Sequence, residues 1–277
     1  MLHTLQVAQP CPELRPFVRS YAQRQMYGCE IEKRQAVPSR LEQTLEFQFR
    51  DSFTVEFSDG RALVCPRTVI VGLYTGRADI LLGGEIESFA IFFQPTGLSE
   101  LFRIPVNELT NRNFEAVSVL GRSVNGLWER LADKSFRERV SIAETFLLAW
   151  LQEISTDSVI QAARYLFLEQ GCVRISDLAF HCGIGRRQFE RRFQGELGIS
   201  PKLFARVARF QAALDAKITR PDTIWLTIAH DLGYHDQMHM IREFKELGGG
   251  APGLLVQQIL DGRPPAMISD RLIEFDR

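Results

Sequence analysis

The sequence predicts an α+β protein: an N-terminal β-barrel domain, a helical connecting segment, and an all-α C-terminal domain. Three observations carry that prediction. Short alternating segments with turn signals fill the N-terminal part, helical spacing takes over from Ser123, and one residue pattern occurs twice near the C-terminus.

The bulk composition sets the frame. With 277 residues, 45% hydrophobic and 24% charged, the chain is globular rather than disordered and long enough for two ordinary domains. No apolar run approaches the ~20 residues that span a bilayer. Met1 to Pro10 lacks a basic stretch followed by an apolar one, so a cytoplasmic protein without membrane contact is expected. Cys11, Cys29, Cys65, Cys172 and Cys182 form no C-x-x-C pair, which favours free thiols; a redox switch between Cys172 and Cys182 is the alternative. The net charge of −1 excludes a surface that coats nucleic acid everywhere, but not a local basic face.

Residues 1–120 read as mostly β. Leu45, Phe47 and Phe49 alternate with Glu46, Gln48 and Arg50, and Phe53, Val55 and Phe57 repeat the period. Further strands are expected at Ala62–Cys65, Thr68–Leu73, Ala78–Leu82 and Ile86–Phe93. Turns are expected at Asp59-Gly60, Thr75-Gly76 and Gly83-Gly84. Gly97–Phe102 and Pro105–Leu109 read as short helical turns. Phe89, Phe92 and Phe93, with Trp128, are candidates for an effector pocket, with barrel core as the simpler alternative.

Residues 121–155 form the helical segment, a linker, an interdomain contact or a dimer surface, whose wide apolar face favours packing over a free helix. Val124, Leu127, Trp128 and Leu131 keep helical spacing, as do Ile142, Ala143, Phe146, Leu147, Trp150, Leu151 and Ile154. A domain boundary is expected near Glu153–Asp157. Thr156-Asp157 caps a further helix that stops at Gly171. The last domain covers 156–260, and 261–277 is a tail.

That domain holds the repeat. Ala179-x3-Gly183-x9-Phe193-x7-Pro201 is followed by Ala229-x3-Gly233-x10-Phe244-x7-Pro252. A short helix, a glycine turn and a second helix outline a helix-turn-helix, whose second helix can enter a DNA major groove. In the first copy Ser176 is a candidate N-cap, and the second helix runs from about Arg186 to Gln194. Phe189 and Phe193 face inward, leaving Arg187, Glu190 and Arg191 as candidates for base edges. Arg186, Arg192, Lys202 and His239 suit phosphates better. In the second copy Asp236 caps a helix from Gln237 to Leu247, with Met240 and Phe244 inward and Gln237, Met238 and Arg242 toward the groove. Between the copies, Pro201–Ile218 reads as a helix about 27 Å long, against ~34 Å for one turn of B-DNA. A solvated face with internal Arg–Glu pairs is the bland alternative.

Taken together, Ile175-Ser-Asp-Leu-Ala179, Cys182-Gly-Ile184, Phe189-x3-Phe193 and Gly198-Ile-Ser-Pro201 resemble the DNA-binding domain of the AraC/XylS family of bacterial regulators. So do Ile228-Ala229, Gly233-Tyr234, Asp236-Gln237, Arg242-x-Phe244-Lys245, Gly249 and Pro252. The match covers about Asp157 to Gln258. The resemblance implies two helix-turn-helix units joined by a long helix, promoter DNA and RNA polymerase as partners, and base contacts at Arg187, Glu190, Arg191, Gln237, Met238 and Arg242. Departures are Gly248 at a usually apolar position and Ala251 in place of a common serine cap. Gly248–Gly250 are expected to loosen this end. Phe89-Ala-Ile-Phe-Phe-Gln-Pro95 and Leu98 to Leu109 resemble, more loosely, cupin-like sensor domains of such regulators, implying a barrel able to host a small-molecule effector or to support a homodimer.

Other chemistry finds little support. His3, His181, His230, His235 and His239 all lie outside the expected barrel strands, which disfavours a cupin metal centre. His235-x3-His239 has the spacing of a helical metal pair, but Asp236 stands where a metalloprotease needs glutamate. Glu85 and Glu87 read as a solvated strand face. The expectation is a non-enzymatic, cofactor-free, metal-free regulator; the alternative is a cupin-type binding protein or enzyme whose helical domain makes protein contacts.

Overall fold

The computed structural model describes residues 2–104, 106–151 and 156–262. Eight strands form one antiparallel sheet: β1 (Leu2–Ala8), β2 (Val18–Val37), β3 (Thr44–Gln48), β4 (Thr54–Phe57), β5 (Ala62–Val64), β6 (Thr68–Val71), β7 (Ala78–Phe93) and β8 (Asn113–Glu115). The main order is β1-β2-β7-β3-β6-β8, while β4 joins the first half of β7 and carries β5. Among the described residues β1 and β8 remain edges, so the expected barrel is an open sheet folded over on itself.

The fold-over comes from the two long strands. β2 follows β7 from Val18↔Phe93 to Val37↔Ala78, with register shifts between Met26 and Lys33. Such shifts bend a strand while its neighbours keep most of the ladder. Gly83-Gly84, expected to be a turn, instead lies within β7, because β2 tracks the bend beside it. Met26 and Ile86 from one half of the sheet thereby meet Val37, Val55, Ile80 and Leu82 from the other.

The opposite face is covered by helices: α1 (Gly97–Phe102), α2 (Ala116–Leu120), α3 (Ser123–Leu131) and α4 (Phe136–Leu148). Tyr21, Phe47, Phe89, Ile91 and Phe93 pack there against Leu98, Val124, Leu127, Ala143 and Leu147. The apolar face of this segment thus packs into the sheet's core. A buried arginine secures α4. Arg139 donates to Gln23 Oε1 (2.7 Å) and the Leu131 carbonyl (3.0 Å), pairs with Glu87 (2.8 Å), and lies over Phe49. Glu87 is therefore a structural partner and not a solvated residue; Glu85 is exposed.

The C-terminal helices are α5 (Ser158–Leu168), α6 (Ile175–His181), α7 (Arg186–Leu197), α8 (Pro201–Thr219), α9 (Trp225–Asp231), α10 (Gln237–Gly248) and α11 (Pro252–Gly262). Asp157 caps α5, accepting from the Val159 and Ile160 amides. The expected boundary at 153–155, Ile154 and Pro105 lie outside the described residues, as does the tail beyond residue 262.

The two bodies touch along several elements: α11 lies against β2, the end of α7 lies against Thr110, and α8 and α5 add polar links. Gln211 on α8 donates to Glu42 (2.7 Å) and accepts from the Leu41 amide (3.2 Å). Arg164 on α5 reaches Glu100 at 2.7 Å. Glu42 also pairs with Arg19 and lies 3.5 Å from Arg40. Burial, followed by repulsion from Arg19, pushes the Arg40 guanidinium down to about 9.

Candidate nucleic-acid interface

The two copies build the same turn. In the first, the Gly183 amide donates to the Phe180 carbonyl and the Ile184 amide to Ala179; in the second, Gly233 donates to His230 and Tyr234 to Ala229. Gly183 and Gly233 take φ of 68° and 65°. This left-handed conformation favours glycine. The offset between copies is 50 residues through the turn and 51 from the second helix onward, as α7 starts at Arg186 and α10 at Gln237. The inserted residue changes the cap. Gly185 precedes α7 without a side-chain bond, whereas Asp236 accepts from the His239 amide at 2.6 Å. That bond, reinforced by His235, holds the Asp236 carboxyl below the usual range.

α8 is the shared spine. Phe204 meets Phe193 of the first unit edge to face, and Phe210 meets Phe244 of the second, with ring centres 5.4 and 4.8 Å apart. At 19 residues, α8 extends about 28 Å at 1.5 Å per residue. Ser200 caps it and Pro201 occupies its first turn, where a missing amide costs nothing. Gly248 does not loosen the end of α10. It is buried against Leu255 and Phe210, where a side chain would collide, so its absence of a Cβ lets α11 pack down. Ser176 falls inside α6; Arg174 occupies the cap position without a side-chain bond.

With Phe189, Phe193, Met240 and Phe244 buried, the opposite faces of both helices are free. Arg187 and Arg191 are exposed on α7; Gln237, Met238 and Arg242 are exposed on α10. Glu190 is partly covered, because Arg186 binds it at 2.9 Å. Arg192 is held by Asp157, which ties α7 to the cap of α5, so its first partner is internal rather than a phosphate.

Between the units lies a groove of about 700 Å3. Arg174, Arg186, Lys202, Arg206, Arg209, His239 and Arg242 line it, with Glu243 and Glu246. The predicted phosphate residues Arg186, Lys202 and His239 are thus brought together. Arg174 belongs with them; helix spacing could not find it, since it precedes the helix. Two of the arginines have structural duties. Arg206 is clamped by Glu243 and Glu246, and Arg209 donates to the Gly171 carbonyl. The remaining charge forms a positive surface along one side of both units, suited to a polyanion.

The expected effector pocket is not assembled. Phe89 and Phe93 point toward the helices, packing on Tyr21, Phe47, Phe136 and Phe102, while Phe92 faces the other side of the sheet. Residues 92 and 93 are adjacent in one strand, so they cannot share a face. Among the described residues, no three His, Cys, Asp or Glu side chains are placed to hold a metal ion, and no helix is long and apolar enough to cross a membrane.

A family model described as a helix-turn-helix domain matches residues 178–258, spanning both turns and both recognition helices. A second model, described as a domain of unknown function (DUF6597), matches residues 6–115. No curated protein matches the chain. Among solved structures, ToxT from Vibrio cholerae is similar with a TM-score of 0.51 and 9% identity, covering 94% of this chain and 99% of that one. ToxT with a bound unsaturated fatty acid gives 0.51 and 8%, covering 94% and 96%. ToxT bound to (E)-4-(8-methylnaphthalen-1-yl)but-3-enoic acid gives 0.50 and 10%, covering 93% and 99%. At such identities the likeness is one of fold: a folded sheet ahead of a helical domain with two helix-turn-helix units.

Proposed function

We propose that this protein is a transcription regulator of the AraC type that binds promoter DNA with both helix-turn-helix units. Its N-terminal domain, residues 1–120 with the packing helices that follow, is the sensor. The observation that carries the reading is two recognition helices on one spine, with basic side chains from both lining the groove between them. α7 is the more basic, with Arg186, Arg187 and Arg191, and anchors the complex; α10, with Gln237, Met238 and Arg242, adds discrimination. Contact with RNA polymerase is the route by which initiation changes, and a homodimer would place two such readers on one promoter.

The sensor reading has a physical route. Gln211 and the buried Arg19–Glu42–Arg40 group join the sheet to α8, the helix that sets the spacing of the two units. A ligand that shifts the sheet would alter that spacing only by favouring one arrangement over another. The fold relatives that hold an unsaturated fatty acid and a butenoic acid derivative support a small organic effector.

Selection of bound DNA from a random pool, followed by titration against salt, tests the reading. A defined site should emerge, with affinity falling steeply as log[salt] at about 0.9 per neutralised phosphate. Sequence-indifferent, salt-insensitive binding would overturn it in favour of a helical domain used for protein contacts.

A further inference from the structure

The interior of the folded sheet contains something a packed core has no use for. Two apolar clusters occupy it: Met26 and Ile86 with Val55, Ile80 and Leu82 at one end, and Ala22, Ala90 and Phe92 with Leu5 and Val7 at the other. Between them runs a polar row. Arg24 on β2 stands opposite Ser88 on β7, and Ser88 opposite Gln48 on β3. Glu46, two residues before Gln48, shares that face opposite Ala90. Both a cation and an anion are thus taken out of water, each at a cost of several kcal/mol unless well paired.

Their pairing is incomplete. Arg24 is only 8% exposed; its one partner among the described residues is Glu46, acting through space rather than by a hydrogen bond. β2 and β3 are separated by β7, so the two backbones lie about 9–10 Å apart, at two strand spacings. The side chains between them are small: Ser88, Ala90 and Ala22. Gln48 is 3% exposed, and its Oε1 has no donor. Glu46 retains accessible surface although burial is the main cause that raises its carboxyl pKa. Ser88 and Gln48 stand within hydrogen-bond reach of that carboxylate, while Arg24 acts on it only through space.

We propose that this row is the sensor site, taking a zwitterionic small molecule of the α-amino acid class. Arg24 receives the carboxylate, Glu46 the ammonium group, and the flanking apolar residues the side chain. The site carries one charge of each sign, so a ligand with both leaves neither protein group unpaired. A simple acid would face Glu46, and a simple amine would face Arg24. Guanidinium also matches a carboxylate in two parallel hydrogen bonds. This identification rests on the sensor reading above and gives its effector a chemical class.

The test uses the full chain and isothermal titration. Alanine, valine, leucine, isoleucine, methionine and phenylalanine are titrated as L-amino acids, then each against its deaminated acid and decarboxylated amine (for leucine, 4-methylpentanoate and 3-methylbutylamine). At least one amino acid should bind saturably, and more tightly than either one-charge analogue by about tenfold or more. In Glu46→Gln the advantage of the amino acid over its acid should shrink toward unity, with the acid serving as the control for an intact site. No saturable binding by any of the six, or equal binding of the one-charge analogues, overturns the proposal. DNA selection on the same preparation separates the two readings: a defined DNA site without amino acid binding defeats the ligand assignment alone, and amino acid binding without a DNA site defeats the regulator reading alone.

Discussion

Arg206 on α8 places its Nε 2.6 Å from the Glu243 carboxylate on α10, joining the spine to the second recognition helix. Its Nη2 donates to Glu246, also at 2.6 Å. The two bonds are unequal in consequence. Glu243 is 5% exposed and Glu246 61%, so loss of Arg206 leaves a buried carboxylate with only His239 and Tyr234 beside it, and merely frees a solvated one.

Substitution Arg206→Ala should therefore destabilise the protein by about 2–3 kcal/mol, the lower side of what a broken buried pair costs. Glu246→Ala should cost no more than about 0.5 kcal/mol, as an exposed pair does. In the Glu243→Gln background the effect of Arg206→Ala should fall by half or more. Urea denaturation of the four proteins in a double-mutant cycle measures this; equal costs for Arg206→Ala in both backgrounds would show that the clamp carries no coupling.

Glu46 predicts a pH dependence of definite sign. Its folded pKa is raised, by burial first, above the unfolded value of about 4.3. The folded state thus holds that proton more tightly, and its contribution is full below the unfolded pKa and declines as pH rises through the folded one. Glu46→Gln cannot titrate. Its stability relative to the native chain should climb as pH goes from about 4 to 7. Urea midpoints at several pH values read the difference, and parallel curves would contradict it.

Gly171 and Gly183 both take positive φ, at 74° and 68°, but only one is crowded. A Cβ at Gly171 would lie 2.0 Å from the Ala205 carbonyl oxygen, where α5 gives way to the chain crossing α8; at Gly183 it would meet nothing within 4 Å. Gly183→Ala should cost about 1–2 kcal/mol from backbone strain alone. Gly171→Ala adds a backbone collision and should cost upward of about 3 kcal/mol or prevent folding. Thermal unfolding of the two variants ranks them. Similar losses would mean that the α5–α8 contact yields easily.

The C-terminal domain was legible because its determinants are local. Glycine at the turn, phenylalanines four apart and Ser200-Pro201 each act within a few residues, and the repeat shows the glycine, one phenylalanine and the proline twice. The N-terminal sheet was less legible. β3 and β4 alternate and are plain in the sequence, whereas β1, β2 and β8 are not: β2 is rich in polar residues, and its long bend is set by its pairing with β7. The break read at Gly83-Gly84 failed for the same reason. At the candidate interface, exposed Arg187, Arg191 and Met238 followed from helix period alone. The internal partners of Arg192 and Arg206 are distant in sequence, and only the folded chain discloses them.

Those partners sharpen what the recognition helices should do. Arg187 and Arg191 are exposed on α7, whereas Arg186 holds Glu190 and Arg192 holds Asp157. Arg187→Ala or Arg191→Ala should weaken binding to a selected site by about 1–3 kcal/mol and relax base preference at one position. Arg186→Ala should weaken all sequences alike and reduce the salt slope by about one. On α10, Gln237→Ala should alter preference with little change in slope, since an amide neutralises no phosphate. Fluorescence titrations at several salt concentrations, against the selected site and single-base variants, resolve affinity, slope and preference separately. If Gln237→Ala left preference untouched while Arg242→Ala lowered only the slope, α10 would be a phosphate clamp and α7 alone would read sequence.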